Sequence, residues 1–125
     1  MRLLLVLAGG ALGSGGRYLV TVWMVDRFGA AFPWGTLAVN IAGSFLIGLL
    51  ATLADDLGRI GPETRTFLVA GVLGGFTTFS SFSLETLRLA EGHDTVRAMM
   101  YVAGSIALGL AAAVLGAIVG RGLGE

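Results

Sequence analysis

Residues 66–89 read TFLVAGVLGGFTTFSSFSLETLRL, an apolar stretch whose middle is crowded with glycine, phenylalanine and hydroxyl groups. About 20 predominantly apolar residues suffice to cross a bilayer as a helix, and this segment has that length, with its charges, Glu85 and Arg88, close to one end. Thr77, Thr78, Ser80, Ser81 and Ser83 follow directly after the Gly74-Gly75-Phe76 run. Hydroxyls bond back to i−4 carbonyls and bend a helix, and paired glycines weaken its interior. The pattern therefore predicts a helix broken mid-membrane between Gly74 and Thr78. Carbonyls freed by a break are tolerated at membrane depth only if something satisfies them, and a monovalent cation is one candidate. Phe76, Phe79 and Phe82 recur every three residues, which on a continuous helix places them on one face. They are either lipid-facing or core rings, or rings presenting a partially positive edge to an anion.

Outward from this segment, three more apolar runs complete the chain: 3–25, 34–54 and 98–120. Polar links separate them. Asp26-Arg27 leads to Pro33-Trp34, Asp55-Asp56 to Gly61-Pro62-Glu63, and Glu91 to Arg97, with Asp94 or Thr95 as the N-cap of the fourth run. The reading is an all-α integral membrane protein, a single four-span domain over residues 1–125. With 55% hydrophobic and 13% charged residues, a soluble domain of this size would expose more apolar surface than water tolerates. The opening Leu3 to Leu7 imitates a signal peptide, but no convincing Ala-x-Ala site follows it.

Charge narrows the function further. Eight basic residues, all Arg, balance eight acidic ones, so neither a basic tract nor net positive charge offers a surface for nucleic acid. There is no Cys and a single His, His93. Thiolate catalysis, His clusters and triads are all absent, so the chain is not expected to be an enzyme. Arg2, Arg59, Arg65 and Arg121 fall on one side of the four-span arrangement, and Arg27, Arg88 and Arg97 on the other. Orientation in the membrane follows an asymmetry of basic residues, and four against three is almost none. Either topology is set weakly, or the chain inserts both ways and pairs antiparallel.

Polar residues inside spans are costly in a bilayer and therefore informative. Arg17 either snorkels to the interface or forms the cationic wall of a vestibule that attracts anions. Asn40 is interhelical glue or a hydrogen-bond donor to an ion. Gly9/Gly13, Gly71/Gly75 and Gly116/Gly120 are small-xxx-small pairs that let backbones approach, within one chain or between two. No span has a central carboxylate.

Taken together, Gly13-x3-Arg17-Tyr18, Gly35-Thr36-Leu37-x2-Asn40-x2-Gly43-Ser44-Phe45, Gly74 to Phe82 with Glu85, and Tyr101-x3-Ser105 resemble the Fluc (CrcB) fluoride channels over essentially the whole chain. The resemblance implies a fluoride-selective channel that exports fluoride from the cytoplasm. It implies an antiparallel, dual-topology homodimer with two pores in the cell (plasma or inner) membrane, and a structural sodium ion at the dimer interface held by the carbonyls of Gly74 and Thr77. By motif position, Asn40, Phe79, Phe82, Ser80, Ser81, Tyr101 and Ser105 match the fluoride pathway. Arg17 matches the vestibule arginine, and Glu85 a carboxylate at the pore end. Ser81 stands where many members have Thr, and Gly109 where some carry a second fourth-span Ser.

The residues agree with that expectation on physical grounds. Fluoride is small and strongly hydrated, so a pore must replace its water with donors that do not trap it. Neutral amides, hydroxyls and ring edges suit this better than a buried ammonium. The competing reading is a dual-topology, proton-coupled exporter of small cationic compounds, similar in size to the small multidrug resistance family. It lacks a titrating carboxylate in the first span. A non-transporting assembly subunit is a third reading, for which the polar third span has no purpose.

Overall fold

Apolar helices that face lipid keep their large side chains outside and their small ones inside, and this chain follows that rule. The computed structural model describes residues 1–124. Its elements are α1 (Arg2–Phe28), α2 (Trp34–Ala51), α3 (Pro62–Arg65), α4 (Gly74–Phe76), α5 (Phe79–Glu91) and α6 (Thr95–Leu123), with π-helical turns at Thr52–Asp56 and Thr66–Leu73. These make four helical segments long and apolar enough to cross a membrane: Arg2–Phe28, Trp34–Asp56, Pro62–Glu91 and Thr95–Leu123. The third and fourth of these segments begin a few residues before the apolar stretches, at residues suited to a helix start. Pro62 sits in the first turn of α3, and Asp94 caps α6 by accepting from Arg97 N–H at 3.3 Å.

The second span packs mainly on the fourth, and the first on the N-terminal half of the third. Both contacts are backbone to backbone. A Cβ added to Gly13 would collide with the Val72 carbonyl, and one added to Gly116 with the Phe45 carbonyl, so only glycine permits these approaches. Most buried positions are small or polar, among them Gly9, Gly35, Gly43, Gly71, Thr36 and Thr52. Val39 and Tyr101 are the largest side chains fully enclosed, whereas Leu4, Leu19, Leu110 and Ile118 are exposed. The apolar exterior faces lipid, and the bundle is held by close packing rather than by an oily core.

At one end of the bundle the polar links tie together. Arg65 makes a paired contact with Asp55 (2.8 and 3.0 Å), Arg121 lies 3.9 Å from Asp56, and Arg59 donates to the Gly124 carbonyl at 3.2 Å.

The third span departs from the expected geometry in one respect. Gly74 and Gly75 stay helical, and the backbone leaves the helix at Thr77 (φ −89, ψ 159) and Thr78 (φ −153, ψ 122). The interruption therefore falls after the glycines. β-Branched threonine is at home in extended backbone, whereas Gly75 serves close packing, since a Cβ there would meet the Gly10 carbonyl at 2.6 Å.

Candidate functional site

The two extended residues of the third span are tied to three neighbouring segments. Thr77 N–H and Thr77 Oγ1 both donate to the Leu73 carbonyl, each at 3.0 Å, which closes the last turn before the interruption. Arg17 Nε donates to the Gly75 carbonyl at 3.1 Å. A cation is favoured there, because the C-terminal end of a helix carries partial negative charge. The guanidinium thus makes a contact with the third span. Asn40, from the second span, takes both backbone groups of Thr78: Nδ2 donates to its carbonyl at 3.0 Å, and Oδ1 accepts its N–H at 2.9 Å.

Beyond the interruption, Thr78 caps α5. Its Oγ1 accepts the Ser81 N–H at 3.1 Å and lies 3.3 Å from Ser80 Oγ. The first turn of α5 is thereby fixed, and with it Phe79 and Phe82. Phe79 is 78% exposed. Its ring centroid lies 5.6 Å from Phe82, which lies 5.1 Å from Tyr101, which meets Phe32 edge-on at 5.5 Å. Phe76 is not part of this row. It lies against Gly16 and Gly43, within 3.6–3.8 Å of a Cβ placed at either. The expected common face of three phenylalanines fails because the backbone between Phe76 and Phe79 is not helical.

Tyr101 and Ser105 lie one turn apart on α6. Tyr101 is completely buried, and among the described residues neither its Oη nor Ser105 Oγ has a hydrogen-bond partner. Close to the Tyr101 hydroxyl, Thr36 Oγ1 donates to Glu85 Oε1 at 2.6 Å. Glu85 also borders a recess of about 370 Å³ shared with Arg88, Phe32 and Thr21. A second recess, of about 360 Å³, is bordered by Asn40, Ser44, Gly74, Thr77, Thr78 and Phe79. At Gly109 an added Cβ would rest 3.6 Å from Ser44 Oγ, an ordinary contact, so packing does not require glycine there.

The structure thus gathers Asn40, Thr77, Ser80, Ser81 and Phe79 at the interruption, and Phe82, Tyr101 and Glu85 in one adjoining cluster. Ser105 lies a turn deeper on α6, and Arg17 meets the site through Gly75. Two participants, though part of the motifs, were not expected as site residues. Thr78 is the residue that Asn40 holds, and Thr36 holds Glu85. Thr36 had a signal, since it sits four residues before Asn40 and so shares its face of α2. Among the described residues no group of three His, Asp or Glu side chains converges as a metal site.

Four apolar helices with polar groups gathered inside define a multi-pass membrane protein. Residues 4–117 match the family described as CrcB-like protein, Camphor Resistance (CrcB). The chain is 53% identical over 114 residues to the fluoride-specific ion channel FluC of Rhizobium meliloti, covering 91% of each chain. It is 52% identical to a FluC of Thermus thermophilus, over 98% of this chain and 95% of that one. The FluC of Opitutus terrae is likewise 52% identical, over 96% and 92%. The chain belongs to the CrcB family, whose curated members named here are ion channels rather than enzymes.

Proposed function

We propose that this protein is a fluoride channel that lets fluoride leave the cytoplasm passively, and that Phe79, Phe82, Ser80, Ser81, Tyr101, Ser105 and Asn40 line its path. The observation that carries this reading is that two hydroxyls one turn apart on α6, those of Tyr101, whose ring packs against Phe82, and of Ser105, are buried and have no hydrogen-bond partner among the described residues. A buried polar group without a partner costs about 1–3 kcal/mol, and a dehydrated anion is the partner that two O–H donors suit. Ring edges carry partial positive charge, so the Phe79–Phe82 pair can touch the ion without holding it. Conduction needs this combination of binding that admits and binding that releases. The relatives' names point to fluoride as the ion.

In the working unit two chains lie antiparallel, with the Thr77–Thr78 interruption at membrane depth, each chain inserted in the opposite sense and two pores per dimer. Arg17 forms the vestibule wall, and Glu85 stands at the end of the path. The cell membrane is the location at which export relieves fluoride toxicity.

The carbonyls of Gly74 and Thr77 fit a sodium ion. They accept no hydrogen bond among the described residues, and hard cations prefer oxygen ligands. A bound ion would supply positive charge to offset the exposed carbonyls of the interrupted helix. The chain's own part is to hold those carbonyls in place, through Arg17 on Gly75 and Asn40 on Thr78.

Removing the two hydroxyls tests the path. The Tyr101→Phe, Ser105→Ala double variant is expected to lower fluoride efflux from liposomes by about tenfold or more, roughly 1.4 kcal/mol of barrier. Efflux equal to the parent from a well-folded variant would take these two residues out of the path.

A further inference from the structure

We infer that Asn40 is a positioning residue: through Thr78 it sets the start of α5, and so the placement of Ser80, Ser81, Phe79 and Phe82. The inference rests on the proposed channel reading for its functional consequence, but its geometry stands apart from it.

Asn40 forms a two-point brace. Its Oδ1 accepts the Thr78 N–H at 2.9 Å and its Nδ2 donates to the Thr78 carbonyl at 3.0 Å. The pairing admits only one orientation of the amide, because exchanging O and N would set donor against donor and acceptor against acceptor. It also satisfies both backbone groups of a residue that has left the helix, which at membrane depth must find partners. Among the described residues no strand lies alongside to do this, so one side chain takes the place of a strand partner. From Thr78 the constraint passes directly onward. The residue's own Oγ1 caps the Ser81 N–H at 3.1 Å and lies 3.3 Å from Ser80 Oγ. Asn40 therefore reaches two track hydroxyls and the first turn of the helix bearing the phenylalanines without touching any of them.

The brace uses one of the two Nδ2 hydrogens and leaves the second free. Asn40 borders the 360 Å³ recess beside Thr77 and Phe79. The bracing fixes the plane of the amide, and hence the direction of the remaining N–H. Any contact of Asn40 with an ion is made by a donor that Thr78 has already oriented.

Hydrogen exchange on the full-length protein in fluoride-free detergent micelles, together with fluoride efflux from liposomes, tests this. In the parent protein the Thr78 and Ser81 amides are expected to be protected. Asn40→Ala is expected to speed exchange across 77–82 by ~10-fold or more, with exchange in 2–28 and 95–123 unchanged. Efflux is expected to fall in Asn40→Ala and in Thr78→Val, while Thr78→Ser, which keeps the hydroxyl cap, retains it. Because both residues act through one chain of contacts, the double variant Asn40→Ala, Thr78→Val should lose no more than the worse single variant.

Lost efflux with unchanged exchange over 77–82 would overturn the inference, since Asn40 would then act on the ion alone. Losses that multiply in the double variant would overturn it as well. Should Asn40→Ala not fold, the contrast between Thr78→Val and Thr78→Ser decides, and equal efflux in those two would overturn it. A parent protein that moves no fluoride but loses protection in Asn40→Ala would remove the channel reading and leave the brace standing.

Discussion

At the residue scale, the buried hydroxyl of Tyr101 is where stability and function pull apart. Tyr101→Phe removes an oxygen that has no hydrogen-bond partner among the described residues, so melting in detergent is expected to show an unchanged or raised stability, by up to about 1 kcal/mol, while fluoride efflux falls. A loss of stability above about 1 kcal/mol would show that the hydroxyl is satisfied after all. This residue was legible only through the resemblance of Tyr101-x3-Ser105 to the family motif, and its burial was not legible at all, because burial depends on Phe32 and Phe82 closing over it from other parts of the chain. Asn40 was legible as a polar residue at membrane depth. Its partner was not, because Thr78 lies 38 positions away and no local pattern links them. Arg17 is similar: its contact with the Gly75 carbonyl, 58 positions away in the chain, depends on the close approach of the first and third spans.

At the scale of elements, the helices were legible because hydropathy and caps are local properties. The interruption was legible only to within a few residues. The Gly74-Gly75 pair reads as the weak point, yet both glycines stay helical, Gly75 serves packing, and the threonines carry the extended backbone. Steric substitution separates the two uses of glycine. Gly13→Val is expected to cost about 3 kcal/mol, near the upper end for overpacking, because the new side chain would meet the Val72 carbonyl. Gly122→Ala, where an added Cβ meets nothing, should be neutral or stabilising by up to about 1 kcal/mol through helix propensity. Thermal unfolding of the two variants in the same detergent checks both. Equal stability in the two would contradict the close approach of the first and third spans.

For the whole molecule, the near balance of arginines between the two ends, four against three, is the property on which the proposed insertion in both orientations rests. Two Lys residues added after Gly124 are expected to hold the chain in one orientation and to lower efflux from cells expressing it alone. Co-expression with a variant biased the opposite way, carrying two Lys residues between Phe28 and Pro33, should restore it. C-terminal reporters active on one side only in the parent chain would contradict antiparallel pairing. The central claim, that the assembled protein conducts fluoride, is tested most directly by a fluoride electrode. Purified protein in liposomes, with the membrane potential clamped by a potassium ionophore, should release trapped fluoride quickly and trapped chloride no faster than empty vesicles. Fluoride release no faster than from protein-free vesicles would contradict the account.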